Sequence, residues 1–195
     1  MKQDITILQG KTFVQVLRWE TAPVVYRAVT NITTTAPMTI TAPGHGAPHG
    51  WRAAVTGVKG MHEANAAHLP PWDNEYHTIT VVDDDTVQFN AVNAARYDEY
   101  KGGGYLQYNM PHELTGYVAR MKVKDRVGGL TLASFTEADI AIDDAAKTIT
   151  LTISATATAG YTWTKGIYDL EMESPTGVVT QLLHGAVRVV DEVTD

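Results

Sequence analysis

Strict alternation of apolar and acidic side chains in the last part of this chain restricts the folds that it can adopt. Between residues 168 and 173 every second side chain is apolar and the others are acidic, which is the period of a strand with one buried and one solvated face. Turn-forming residues occupy 174–177, and two more apolar runs follow at 178–183 and 186–193, separated by Gly185. The pattern predicts a three-stranded meander, and its apolar face needs a second sheet to cover it.

The bulk composition excludes several classes of protein. A chain of 195 residues with 44% apolar and 19% charged side chains can bury a core of one large or two small domains. A net charge of −7 with scattered lysines and arginines argues against a nucleic-acid partner. No run approaches the length of a membrane span, so we expect no membrane insertion and a soluble protein made in a cytoplasm. The absence of cysteine excludes disulfides, thiolate metal sites and cysteine nucleophiles.

Further strands are predicted on both sides of a central block of different composition. Residues 5–10, 12–19, 117–124 and 148–154 show strand-like runs, of which the last is the most regular. The central block, from residue 33 to about 105, holds five prolines and five of the seven histidines. Its strand-like runs are short, and the three aspartates at 83–85 predict a hairpin turn. The glycines at 102–104 predict a flexible hinge at its end.

These patterns together predict an all-β fold. Short strands separated by turn clusters at this spacing favour a β-sandwich. We expect an Ig-like β-sandwich formed by residues 1–35 and 106–195, with residues 36–105 inserted as a small β subdomain. The best helical candidates are single turns near residues 60–68 and 155–159.

The histidines of the insert are candidate metal ligands, because imidazole is a common zinc ligand. His45 and His49 are four residues apart, a metal spacing that works mainly on a helix, and the glycines and proline around them disfavour a helix. The aspartates at 83–85 lack the glycine and glutamate of a calcium loop. We therefore predict no metal and no cofactor, and interpret the histidines as residues that cap turns or contact a neighbouring chain.

No catalytic constellation is apparent. Ser134, Ser154 and Ser174 are the only serines, and none lies in a Gly-x-Ser-x-Gly elbow. A pair of glycosidase carboxylates stays open, because acidic residues are plentiful and no pair is singled out. The sequence thus predicts no catalytic residue and a protein that is not an enzyme.

Aromatic side chains are concentrated in the insert, where they serve either as its core or as a contact surface. Both readings stay open. The residues predicted as possible partner contacts are Trp51, Trp72, Tyr97, Tyr100 and Tyr105.

Two sets of segments resemble proteins of tailed bacteriophages. The insert carries residues 39–50, 55–65, 86–90 and 100–104, which resemble a small β module of tail and tail-fibre proteins. That module is often labelled as similar to a catalytic-cysteine half-domain of ubiquitin-activating enzymes, but it carries no such chemistry. The flanks carry residues 5–13, 114–122, 167–171 and 185–194, which resemble the Ig-like N-terminal domain of phage baseplate upper proteins.

The resemblance implies a virion structural protein at the tail tip, baseplate or tail-fibre junction. In that family a β-sandwich docks to the tail, and fibres or spikes hang on a longer C-terminal part. The sequence stops at Asp195 without such a part, so the expected role is that of an assembly adaptor. Its partners would be other tail, baseplate or tail-fibre proteins and copies of itself. Two rival hypotheses are a carbohydrate-binding module that uses the aromatics of the insert and a hydrolase of surface sugars.

Overall fold

The computed structural model describes residues 1–192, and most of their regular structure is β-strand. Residues 193–195, which end the predicted sandwich and its last strand, lie outside the described residues. One short helix, α1 (Ala155–Ala159), and two 3₁₀ turns, His62–Ala64 and Asp73–Glu75, accompany the strands. The strands of the described residues are β1 (Ile5–Leu8), β2 (Phe13–Leu17), β3 (Glu20–Ala28), β4 (Asn31–Thr33), β5 (Met38–Thr41), β6 (Arg52–Thr56), β7 (His77–Asp83), β8 (Thr86–Phe89), β9 (Tyr105–Pro111), β10 (Val118–Lys124), β11 (Thr131–Phe135), β12 (Ile140–Asp143), β13 (Thr148–Ile153), β14 (Lys165–Glu173) and β15 (Val179–Val190).

The chain divides into two compact units. Unit 1 comprises Met1–Trp19 and Glu113–Asp195, and unit 2 comprises Glu20–His112. These bounds differ from the predicted ones, since residues 20–35 and 106–112 were expected in the sandwich. The reason is strand pairing: β3 pairs with β9, and β9 pairs with β6, so all three strands belong to unit 2.

Unit 1 is a β-sandwich, which confirms the predicted all-β sandwich. One sheet has the order β1-β15-β14-β10-β11 and the other the order β12-β13-β2. All neighbours are antiparallel except β1 and β15, which are parallel. Four strands of the larger sheet and the three of the smaller one follow the order of an Ig-like sandwich.

The core of unit 1 lies where period-two alternation predicted it. Strand β14 alternates buried and more exposed residues through its length, as do β10 and β13. Both sheets contribute to one apolar cluster, because each sheet has one apolar face that must leave water. Its largest fully buried side chains are Ile7, Leu114, Met121, Ile149 and Ile153.

The predicted three-stranded meander is wrong, because Gly185 does not interrupt a strand. Strand β15 continues from Val179 to Val190 and pairs with β14 as one long hairpin. A Cβ at Gly185 would lie 2.0 Å from the carbonyl oxygen of Gln3, so the glycine permits close approach of the N-terminal segment. The strand that pairs with the other edge of β15 is therefore β1, and not the third C-terminal strand of the predicted meander.

Unit 2 is built on a seven-stranded sheet of order β3-β9-β6-β7-β8-β5-β4. The Val29 amide donates to the Gly104 carbonyl, and the next amide, that of Thr30, donates to Thr41. The chain thus passes directly from one edge strand to the other, and the sheet curls round a single apolar core. The hairpin turn predicted at residues 83–85 is confirmed between β7 and β8.

The glycines at 102–104 were expected to form a hinge, and the structure shows a close contact instead. A Cβ at Gly104 would lie 2.5 Å from Val58 Cγ2. Gly102 forms an isolated bridge with Lys59, and the Tyr100 hydroxyl donates to the Gly103 carbonyl at 3.0 Å. Glycine is needed at 104 because a Cβ there would overlap the Val58 side chain, and all three glycines have positive φ angles, which other residues rarely adopt.

Candidate functional site

An exposed apolar tip projects from unit 2 in the connection between β6 and β7. We call residues 66–76 the Trp72 loop. Leu69 is 79% exposed and Trp72 is 60% exposed, and Pro70 between them is exposed as well. A contiguous exposed apolar patch, as distinct from single exposed apolar residues, commonly marks a contact site.

Glu75 holds the two ends of the tip together. Its carboxylate accepts the Trp72 amide at 2.7 Å and the Ala67 amide at 2.8 Å. The Nδ1 atom of His68 lies 3.1 Å from the same carboxylate. The hydrogen bond from the Trp72 amide is the main reason that the pKa of Glu75 is lowered. One ionised side chain therefore ties both flanks of residues 68–71 into a fixed conformation.

The two rings beside the tip stack on each other. The His68 and Trp72 ring centroids are 3.4 Å apart with planes 13° from parallel. Because His68 also contacts Glu75, the imidazole holds the indole from one side. The Trp72 indole thus has a defined orientation, although the residue is 60% exposed.

Arg52 on β6 connects this loop to the sheet. Its guanidinium donates to both oxygens of Glu20, at 2.5 and 2.8 Å, and to Asp73 at 2.5 Å. Its Cζ atom lies 5.2 Å from the centroid of the Tyr76 ring. The hydrogen bond to Glu20 is the main reason that the pKa of Arg52 is raised. A bidentate pair of this kind fixes geometry as well as charge.

Glu20 is in turn held by the sheet. The Asn109 side chain donates to Glu20 Oε2 at 2.7 Å, and the backbone carbonyl of Asn109 accepts the Trp51 indole at 2.9 Å. A continuous series of hydrogen bonds therefore connects the core of unit 2 with the exposed tip. Such an arrangement suits binding to another molecule, because the contact surface is ordered in advance.

The five predicted contact residues divide into core and surface. Trp51 is fully buried, so its prediction as a partner contact is wrong: its ring packs in the core of unit 2. Tyr97 and Tyr100 are half-buried and pack against the same core. Only Trp72 and Tyr105 are mainly exposed.

Tyr105 forms a second exposed aromatic group with Tyr26, which the sequence pattern does not indicate as a contact residue. Tyr26 on β3 and Tyr105 on β9 are each 52% exposed. Their rings meet edge to face, with centroids 6.2 Å apart. The exposure of Leu69 was likewise not predicted, although the Pro70-Pro71 pair beside it predicts a loop.

The histidines do not assemble into a metal site. Among residues 1–192, no three histidine or acidic side chains converge in a way that could hold an ion. His45 is buried: its Nδ1 atom accepts the Ala47 amide and its Nε2 atom lies 3.0 Å from the Asp83 carbonyl. Both ring nitrogens therefore serve the loop itself. His49 is exposed.

The aspartates at 83–85 form hydrogen bonds that stabilise the turn in which they lie. The Asp85 amide donates to Asp83 Oδ1 at 2.9 Å, and this bond is the main reason that the pKa of Asp83 is lowered. Asp85 Oδ1 accepts the Gly44 amide at 2.8 Å. These contacts join the loop of His45 to the β7–β8 turn.

Ser154 and Ser174 have structural roles. The Ser154 side chain caps α1 by accepting the Ala157 amide at 3.2 Å. Ser174 accepts the Val178 amide at 3.0 Å within the β14–β15 turn. In the portion of the chain that is described, no helix is long and apolar enough to cross a membrane.

Comparison with known proteins gives no assignment: no protein-family model and no curated protein matches this chain.

Proposed function

We propose that this chain is a binding and assembly protein that attaches to a partner protein through the Trp72 loop. The observation that carries the proposal is the combination of exposure and order at Trp72. The residue is 60% exposed, yet its ring is stacked on His68 and its amide is held by Glu75. Tryptophan is enriched among residues that dominate binding energy.

Prior ordering of the loop favours affinity. A flexible loop loses conformational freedom on binding, at a cost of roughly 0.5–1.5 kcal/mol for each immobilised side chain. Glu75 within this loop and Arg52 on β6 already restrain the loop backbone and its neighbouring side chains. A larger share of the contact energy of Leu69 and Trp72 would then appear as affinity.

We further propose that the partner is a component of a phage tail, and that this chain acts at the tail tip, baseplate or tail-fibre junction. The resemblance of residues 39–50 and of the flanking segments to phage tail proteins supports this part of the proposal. Proteins of such assemblies occupy symmetric rings, so the chain would be present in several copies.

The experiment combines localisation with a loop variant. Intact phage particles are labelled with an antibody against this chain and imaged by electron microscopy, beside a mass-spectrometric inventory of the purified particles. Label at the distal tail is expected, and Trp72→Ala should strongly reduce incorporation. Val82→Ala, which alters another exposed apolar residue of unit 2, is the matched control. Absence of the wild-type chain from the particles would overturn the tail assignment.

Carbohydrate binding is the second candidate function. The exposed indole of Trp72 lies beside Asp73, whose side chain is 88% exposed, and an aromatic face next to a carboxylate suits a sugar ring and its hydroxyls. Saturable binding of a bacterial surface glycan, abolished by Trp72→Ala, would favour this function over protein docking.

A further inference from the structure

Strand β2 leaves one edge of the smaller sheet of unit 1 open. The order of that sheet is β12-β13-β2, and β13 is the only strand of residues 1–192 that pairs with β2. In many Ig-like sandwiches the first strand lies beside this position. Here the first strand, β1, pairs with β15 of the other sheet instead. The place next to β2 is thus vacant within the described part of the chain.

The open edge lacks the features that usually prevent strand association. Edge strands are commonly blocked by a charged residue, a proline or a bulge. Residues 13–17 contain no charge and no proline, and their register with β13 runs without a shift. Val14 is 56% exposed and Val16 is 49% exposed on the outer face, while Phe13 and Leu17 on the inner face are only half-buried.

The sequence of β2 is nearly symmetric about its central residue. Val14 and Val16 flank Gln15, and the apolar residues Phe13 and Leu17 flank the valines. If two copies of β2 pair in antiparallel fashion with Gln15 opposite Gln15, residue 14 of one copy lies opposite residue 16 of the other, and residue 13 lies opposite residue 17. Valine then faces valine on the outer face, and phenylalanine faces leucine on the inner face.

We propose that β2 pairs with β2 of a second copy of this chain, in the register that places Gln15 opposite Gln15, to form a continuous six-stranded sheet. The pairing would satisfy backbone groups along both free edges. It would also cover the exposed valines and the half-buried flank of the core. This proposal concerns unit 1 and does not rest on the proposed function of the Trp72 loop.

Only one register matches like with like. Residues directly opposite in an antiparallel pair lie on the same face of the sheet, so the two-fold axis must pass beside a residue and not between two residues. The neighbouring registers therefore have their axis at Val14 or at Val16. Centring on Val14 would place Val16 opposite Thr12 and Phe13 opposite Gln15. Centring on Val16 would place Val14 opposite Arg18. Both alternatives oppose apolar and polar side chains, which the Gln15 register avoids.

The first test measures self-association of the full chain by sedimentation velocity at concentrations up to about 1 mM. The wild-type chain is expected to form a dimer. V14K/V16K places ammonium groups opposite each other twice and should weaken the dimer at least about tenfold. V14E/V16K places a carboxylate opposite an ammonium twice, so it should keep the dimer. V127K, at an exposed loop residue of the same unit, should leave association unchanged.

The second test uses the lack of cysteine in this chain. Q15C places the two introduced thiols directly opposite each other, where Cβ atoms of paired strands approach within about 5.5 Å. Mild oxidation should therefore cross-link Q15C much faster than V14C, whose thiols are offset across the pair. Circular dichroism of each variant checks that the sheets remain folded.

Three results would overturn the proposal. A wild-type chain that stays monomeric at every concentration would exclude self-pairing of β2, and the open edge could then pair only with a strand from a different protein. A dimer that V14K/V16K and V14E/V16K affect equally would exclude the Gln15 register. Equal cross-linking of Q15C and V14C would exclude it as well.

Discussion

The imidazole of His68 stacks on the indole of Trp72, with ring centroids 3.4 Å apart and planes 13° from parallel. Both residues are tied to Glu75, one through its ring and the other through its amide. A large exposed aromatic ring is thereby given a defined orientation. The expected consequence is that variants of Glu75 change binding without changing the β-sheets.

Glu75→Ala is expected to loosen the Trp72 loop. The Ala67 and Trp72 amides lose their common acceptor, so their hydrogen exchange should become faster while the strands of unit 2 keep their protection. Glu75→Gln retains one oxygen and should have a smaller effect. Glu99→Ala, at an exposed acidic residue of the same unit, is the control. Unchanged exchange at both amides would contradict the role given to Glu75.

Arg52→Ala is expected to lower the free energy of unfolding by about 1–2 kcal/mol, because Glu20 loses a bidentate partner and the side chain is partly exposed. Arg52→Lys should recover only part of this loss, since a single ammonium cannot form the same fork. Urea unfolding measures both effects. Arg96→Ala, at an exposed arginine of unit 2, should cost little. Equal stability of the Lys variant and the wild type would show that charge alone matters.

Gly185→Ala should destabilise unit 1 by about 1–3 kcal/mol through overpacking. The added Cβ would meet the Gln3 carbonyl oxygen at 2.0 Å, and that atom belongs to the backbone. Gly160→Ala is the matched control, because its nearest contact would be an ordinary 3.5 Å. Thermal unfolding compares the two variants. A similar melting temperature for both would contradict the close approach at Gly185.

Deprotonation of the Tyr168 hydroxyl is expected to lower the free energy of unfolding at alkaline pH. Its hydroxyl donates to the Gln3 carbonyl at 2.8 Å, and burial raises its pKa from 10.0 to about 12. A raised folded-state pKa means that the stabilisation is complete below the unfolded value and is lost as pH rises through about 12. Absorbance of the phenolate as a function of pH measures this pKa.

Tyr168→Phe is the companion variant. At neutral pH it should cost about 1 kcal/mol, the typical value of one hydrogen bond. Its stability should then depend less on pH than that of the wild type in the alkaline range. If both proteins lose stability in parallel, another group is responsible for the alkaline transition.

Local pattern was sufficient to predict the strands that have one buried face. In β10, β13 and β14 the alternation of side chains indicates which residues leave water, because the period of a strand is two. The turn at residues 83–85 was predictable for a similar reason, since aspartate side chains can accept nearby amides. The candidate site was predicted only in part: Trp72 and Tyr105 are mainly exposed, whereas Trp51 is in the core.

The sequence by itself determined the all-β class, the buried faces of the regular strands and the main turns, because these depend on residues close together in the chain. Tertiary structure decided that β1 pairs with β15, that Gly185 accommodates a backbone contact, and which tryptophan is exposed. Each of these depends on a partner far away in the sequence. An indole has the same local signature in a core and on a surface, so only the packing around it distinguishes Trp51 from Trp72.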